Sequence, residues 1–159
     1  MLLKQKDIHQ NTFINFCEAK WYSDISKSTK YDQQRNQLAR IIDNAISFQS
    51  NGRYSDEVMV TLITPSNFKD TGYKSRLYQY KYEEYLDNTE RVALDIEESG
   101  LEVRSDKDWL YPACIRDRLN SFELNWVSYE ELFENLPQSI LKDGLIVFEG
   151  LYNKSQLMY

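Results

Sequence analysis

The run Phe13 to Trp21, FINFCEAKW, carries apolar bulk on both sides if it is extended. Phe13, Cys17, Ala19 and Trp21 fall on one side, Ile14 and Phe16 on the other. Successive side chains of a strand point to opposite faces, so a strand with bulk on both is covered on both and sits inside its sheet. No other segment constrains the fold as much, because it demands a neighbour on either edge. Two charges, Glu18 and Lys20, interrupt the same run. An unpaired ion in an apolar interior costs several kcal/mol or more, so these charges either reach water or meet at a site. Being two apart, they project together and away from Cys17, Ala19 and Trp21, and this common direction favours a site.

The neighbours of that strand are legible on either side. Residues 2–8 (LLKQKDI) read as a strand, with a turn at His9 to Thr12. After a polar loop, Ser23 to Lys30, the spacing of Leu38, Ile41, Ile42, Ala45 and Phe48 predicts a helix from about Tyr31 to Gln49. Thr29 and Asp32 resemble a capping box at its start, and Asn51-Gly52 ends it. Glu57 to Thr64 (EVMVTLIT) is the clearest strand, stopped by Pro65. Strand, strand, helix, strand implies an α/β sheet with the helix across one face, Glu57–Thr64 running parallel to Phe13–Lys20.

Beyond Pro65, Tyr73 to Leu86 reads as a helix with Tyr78, Tyr82 and Tyr85 at i, i+4, i+7, and these serve a core better than a base-stacking platform. Glu90 to Glu98 continues as helix and Gly100 to Asp108 as loop. Trp109 to Ser121 reads as a helix begun near Pro112, Phe122 to Val127 as a strand, and Ser128 caps a short helix, YEELFENL. A last short strand lies within Ile140 to Leu151. One domain over residues 1–159 is expected, with a core at about 2–65 and an extension over 66–159.

Composition removes several chemistries. A net charge of -6 counts against a protein that coats nucleic acid through Lys and Arg, yet a nuclease needs acids to hold a divalent cation. Two cysteines, Cys17 and Cys114, with one histidine, His9, are too few for a Cys/His zinc site and fit reduced thiols in a cytoplasmic protein. With five glycines and no Gly-rich loop, neither dinucleotide nor P-loop chemistry is expected, and no G-x-S-x-G elbow is present. No apolar run reaches the ~18 residues of a membrane helix. If an even turn puts Asp7 on the face of Glu18, His9 shares that face while Cys17 points to the other, so Cys17 and His9 would not meet as nucleophile and base.

A carboxylate and an ammonium at the end of an apolar strand suit metal-assisted phosphodiester hydrolysis. The carboxylate is a hard oxygen ligand for Mg2+, and the lysine positions water and offsets phosphate charge. A second carboxylate would come from the partner strand, where Asp7 is the candidate. A hairpin turn of even length puts Asp7 on the face of Glu18 and Lys20, and a three- or five-residue turn puts it on the other.

In this order, Asp7, Glu18-Ala19-Lys20, the helix from Tyr31 and the strand VMVTLITP resemble the PD-(D/E)XK nuclease superfamily, the restriction-endonuclease-like fold. The resemblance covers about Asp7 to Pro65, and LNWVSYEELFENL is similar to a strand-then-helix tail of bacterial members. Lys6 stands where the superfamily has proline, and six residues precede Asp7 where relatives carry a helix and a strand. The resemblance implies a mixed sheet with flanking helices and Mg2+-dependent hydrolysis of DNA, with Mn2+ as a substitute, in restriction, defence or DNA processing. Asp7 and Glu18 would hold the metal, Lys20 would orient the attacking water, and Gln37, with Gln33 one turn earlier, would support it. A homodimer or a partner subunit would complete the N-terminal part.

Two other readings stay open: an inactive relative acting as an interaction module, and an acidic, Tyr-rich inhibitor that mimics phosphate. Lys27, Lys30, Arg35 and Arg40 flank the site and either meet phosphate or form a solvated helix face. Arg116 and Arg118, near Trp109 and Tyr111, would extend a basic strip. Glu130, Glu131 and Glu134 suit the first turns of a helix.

Overall fold

The computed structural model describes residues 2–6, 11–30, 33, 35–69, 74, 76–97 and 112–137, the stretches 2–6 and 112–114 by backbone alone. Strands β1 (Leu2–Lys6) and β2 (Thr12–Ala19) lead to helix α1 (Gln37–Ile46). A small hairpin, β3 (Gln49–Ser50) and β4 (Arg53–Tyr54), precedes β5 (Glu57–Thr64). Helices α2 (Ser66–Lys69), α3 (Leu77–Tyr85), α4 (Thr89–Glu97) and α5 (Pro112–Leu119) follow, then β6 (Phe122–Ser128) and α6 (Tyr129–Glu134). No helix of the described residues is long and apolar enough to cross a membrane.

The main sheet has the order β1-β2-β5-β6. β1 is antiparallel to β2, while β2, β5 and β6 are mutually parallel, with Glu18 opposite Leu62 and Leu62 opposite Trp126. The interior position expected of Phe13–Lys20, and its parallel pairing with Glu57–Thr64, are both observed. The architecture is therefore mixed α/β with flanking helices.

The core fills the space between one face of the sheet and the helices. Ile14, Val58, Val60 and Leu62 are buried on that face against Leu38, Ile42 and Ala45 of α1, Tyr78 and Tyr85 of α3, and Val92 and Ile96 of α4. Tyr78 and Tyr85 are 0 % and 2 % exposed, so they serve the core as expected. Tyr82 stays half-buried with its ring 5.0 Å from that of Trp126. On the opposite face Phe13, Asn15, Cys17 and Met59 are half-buried, and the Thr61 hydroxyl donates to Asn15 Oδ1 at 3.0 Å.

The first helix departs from expectation at both ends. It starts at Gln37 rather than Tyr31, and its cap is Asn36, whose side chain accepts from the Ala39 N–H at 3.1 Å, rather than a box built on Thr29. Ser, Thr, Asp and Asn all cap well, and what selects Asn36 is its second bond: Nδ2 donates to the Tyr85 hydroxyl at 2.7 Å. Residues 33 and 35 are non-helical, so Gln33 does not share a helical face with Gln37. At the other end the helix stops at Ile46, and Asn51-Gly52 instead turns the β3–β4 hairpin. Their φ angles of 55° and 72° give the two left-handed central residues of a type I′ turn. Ile41 is only partly buried, whereas Ala39 and Ile46, which the periodicity passed over, are fully buried.

β6 with Ser128 capping α6 follows the sequence reading closely: the Ser128 hydroxyl accepts from Glu131 N at 3.0 Å, and the Glu131 carboxylate accepts from Ser128 N at 2.7 Å. Trp109, Gly100–Asp108 and the strand expected within Ile140–Leu151 lie outside the described residues.

Truncation tests the packing. Ile42→Ala removes a fully buried side chain and is expected to lower stability by about 2–5 kcal/mol in urea unfolding. Ile41→Ala should cost less than half as much. Equal losses would show that the buried face of α1 is turned otherwise.

Candidate active site

Glu18 and Lys20 lie at the C-terminal end of β2, beside the C-terminal end of the parallel strand β5. There the Lys20 N–H donates to Ile63 O at 2.8 Å and so extends the ladder one residue past the strand. Open parallel sheets bind ligands outside the carboxyl ends of their strands, which is where this pair stands. Alternation along β2 sends Glu18 and Lys20 to the face of α1, together with Ile14 and Phe16, as the sequence implies.

Gln37, the first residue of α1, joins the two. Its amide nitrogen donates to Glu18 Oε1 at 2.7 Å, and its amide oxygen accepts from Lys20 Nζ at 3.0 Å. Lys20 Nζ lies 3.0 Å from the same Glu18 Oε1, closing a triangle of carboxylate, ammonium and amide. The Lys20 and Glu18 side chains are 11 % and 24 % exposed. The amide is oriented from behind: the Ser26 N–H donates to Gln37 Oε1 at 3.1 Å, and the Gln37 N–H donates to Ser26 O at 2.8 Å. Arg40 then holds the loop by donating to Ser26 Oγ at 2.7 Å. With both acceptor positions of its oxygen and one amide proton committed, the Gln37 side chain cannot flip without losing these bonds.

Both contacts to Glu18 fall on Oε1, so Oε2 accepts no hydrogen bond from the described residues. The Lys20 ammonium has three protons and two acceptors among the described residues, and a third proton could meet a water or a phosphate oxygen. A pair so withdrawn from water adds little net stability, because lost hydration offsets the attraction. What it supplies is a fixed arrangement of charge facing outward.

Of the four residues assigned to the site, three thus come together: Glu18, Lys20 and Gln37. Asp7 lies outside the described residues. β1 pairs Lys6 with Thr12, so five residues, 7–11, join the paired positions. Among the described residues no three His, Cys, Asp or Glu side chains gather as a ready ligand set. His9 is outside the described residues, and burial raises the thiol of the half-buried Cys17, which is on the opposite face of the strand.

Of the basic residues read as phosphate contacts, Lys27 and Lys30 are exposed, Arg40 donates to Ser26 Oγ, and three others are engaged elsewhere. Arg35 is buried in an ion pair with the fully buried Asp43. Arg116 pairs with Glu90 and Glu97. Arg118 donates to Ser55 O at 2.7 Å and stacks its guanidinium 4.9 Å from the Tyr54 ring. The expected strip through Arg116 and Arg118 is therefore a set of internal braces. The acids of α6 are braces too: Glu130 accepts from the Ser66 N–H at 2.9 Å and Glu131 binds Lys69 at 2.6 Å.

Sequence reading missed Tyr129. Its ring lies 4.9 Å from that of Trp21, the residue after Lys20, and its phenol is raised by burial and by the charge of Glu18. The signal was present in part, since the Ser128 cap places Tyr129 at the first position of α6. Only the adjacency of β6 to β5 brings that position to the site.

The cap that fixes Gln37 is testable. Asn36→Ala removes both the cap and the partner of the buried Tyr85 hydroxyl, and should cost about 1–3 kcal/mol in urea unfolding. Asn36→Ser restores the cap alone and should recover only part of it; full recovery would leave the Tyr85 bond without weight. Comparison with protein-family models, with curated proteins and with solved structures finds no match to this chain.

Proposed function

We propose that the protein is a Mg2+-dependent nuclease of the PD-(D/E)XK, restriction-endonuclease-like kind, hydrolysing DNA phosphodiester bonds. The observation that carries this reading is the bridging amide: a glutamine from the following helix binds both the carboxylate and the ammonium of Glu18-Ala19-Lys20. An ion pair kept merely to neutralise charge needs no third group oriented by three further bonds. The sheet order, with an antiparallel strand on one side of β2 and a parallel strand on the other, supports the same reading.

The donors fit a hard cation. Glu18 keeps one carboxylate oxygen clear of hydrogen bonds from the described residues, and Mg2+ retains several waters, so one or two carboxylates together with phosphate oxygens suffice. When bound, Mg2+ would supply positive charge at the scissile phosphate and a water of lowered pKa. The chain's own groups do the rest. Glu18 binds the cation. Lys20 directs its remaining proton at the attacking water or a non-bridging oxygen and offsets charge on the five-coordinate phosphorus. Gln37 holds both heads in place. Asp7, the second acid that the resemblance assigns, enters as a variant of its own.

One observation favours a second reading, a nuclease-like interaction module without hydrolysis. No carboxylate of the described residues other than Glu18 bonds to Lys20 or Gln37.

Cleavage of linear and supercoiled DNA with Mg2+ or Mn2+ decides between the two. Lys20→Met keeps length and packing but removes the charge, and should abolish cleavage with little change in thermal midpoint. Glu18→Gln should abolish it through weakened metal binding, which calorimetric titration of Mg2+ reads directly. Asp7→Asn should do likewise if it is the second ligand. No cleavage by the wild type, or cleavage by both Lys20→Met and Glu18→Gln at the wild-type rate, overturns the nuclease reading.

A further inference from the structure

The chain leaves the site at Lys20 and comes back to it at Ser26. The Ser26 N–H donates to Gln37 Oε1 at 3.1 Å, the same oxygen that accepts from Lys20 Nζ at 3.0 Å, so loop and ammonium share one acceptor. The loop is braced on both sides of that contact. Asp24 accepts from the Leu77 and Tyr78 N–H groups at the start of α3, at 2.6 Å and 3.2 Å, and Ile25 is buried in the core. Arg40 donates to Ser26 Oγ at 2.7 Å, and the Ser26 carbonyl accepts from the Gln37 N–H at 2.8 Å. Lys27 is the next residue. It is exposed, and no carboxylate among the described residues pairs with its ammonium.

A lysine on a surface is ordinarily a solvated charge, and its neighbourhood decides whether it is more. The chain carries a net charge of -6, yet the stretch Ser26 to Arg40 has four cations, Lys27, Lys30, Arg35 and Arg40, against one acid, Asp32. The acids that adjoin the loop in the chain and at the site are committed: Asp24 to the start of α3, and Glu18 to Lys20 and Gln37. Lys27 therefore stands in a locally positive stretch of an acidic protein, one residue from a backbone that is bonded to the site. Ordering is among the costs of association, and a braced loop leaves only a side chain to order. Phosphates follow one another at about 3.4 Å of helix axis along a DNA strand, so a strand with one phosphate at Lys20 brings others close by. A lysine meets phosphate as a compact point charge and needs no fixed angle of approach.

We propose that Lys27 is a DNA-binding residue, gripping a backbone phosphate beside the scissile one while Glu18 and Lys20 act on the bond to be cut. The proposal deepens the nuclease reading of that site and rests on it. Phosphates are alike in every nucleotide, so this contact positions the strand and carries no sequence information.

Binding is measured on the full chain carrying Glu18→Gln, so that cleavage does not interfere, with fluorescein-labelled blunt duplexes of two unrelated sequences over a series of salt concentrations. The logarithm of affinity falls linearly with that of salt, and each phosphate contact contributes about 0.9 to the slope. Adding Lys27→Gln should lower the slope by about 0.9 and weaken both duplexes by the same factor. Lys27→Arg keeps the charge and should keep the slope. Because Lys27 is exposed, both variants should melt with their parent. Arg53→Gln removes one exposed charge just before β5, at the end of the sheet opposite Lys20, and should leave the slope as it was. Four results overturn the contact: no duplex binding at any salt, a slope that Lys27→Gln leaves unchanged, a slope that Arg53→Gln lowers equally, or weakening confined to one sequence. If the wild type still cleaves, the nuclease reading then stands without it. If the wild type cleaves no DNA, there is no scissile phosphate and both fall together.

Discussion

The first turn of α1 is the constraint on which the site depends. Asn36 and Gln37 are adjacent and face opposite duties. Asn36 turns inward, capping the helix and donating to Tyr85, and Gln37 turns to the C-terminal end of β2 and joins Glu18 to Lys20. A helix end is normally where order frays, because its first N–H groups lack intrahelical partners. Here those groups are answered by the Asn36 side chain and by the Ser26 carbonyl. A mobile first turn would let Gln37 leave, and the ion pair would relax toward water.

Behind Asn36 the anchoring continues. The Tyr85 hydroxyl donates to Asp95, which also receives Lys81 at 3.0 Å and Arg91 at 2.8 Å. Burial, with Asp95 accepting its proton, holds the Tyr85 phenol protonated well above its ordinary range. The phenol therefore stays a donor to Asp95 and an acceptor from Asn36 at any pH at which the protein works. A buried polar network is worth having only if its members are satisfied, and this one connects α1, α3 and α4 through bonds that each specify one geometry. Apolar packing alone would hold the helices together and leave the rotation of α1 about its axis less defined.

Much of this was legible in the sequence, and the failures share a cause. β2 and β5 could be read because their apolar runs are local, and the shared direction of Glu18 and Lys20 followed from strand alternation, whereas Gln37 came only through the resemblance. The cap was misplaced because residues 28–36 offer four competent side chains, Ser28, Thr29, Asp32 and Asn36. The choice of Asn36 is made by Tyr85, 49 positions away. Asn51-Gly52 was read as a helix stop because a stop and a type I′ turn share the same dipeptide, and only the short strands on either side distinguish them. The arginines looked like phosphate contacts because their actual partners, the carbonyls of Ile46 and Ser55 and the carboxylates of Glu90 and Glu97, are distant in the chain. Tyr129 was invisible for the same reason, since it meets Trp21 only through the order of strands in the sheet.

The engagement of those cations changes how such a protein would hold DNA. Proteins that bind through many lysines and arginines gain affinity by releasing counterions, at the expense of steep sensitivity to salt. With Arg35, Arg91, Arg116 and Arg118 all paired within the chain and a net charge of -6, that route is narrowed to lysines such as the exposed Lys27 and Lys30. At the site itself the groups that would act do so at short range: the Lys20 ammonium and the Glu18 carboxylate, held by Gln37. Each operates only on contact, so recognition would come from geometry at the site rather than from long-range attraction.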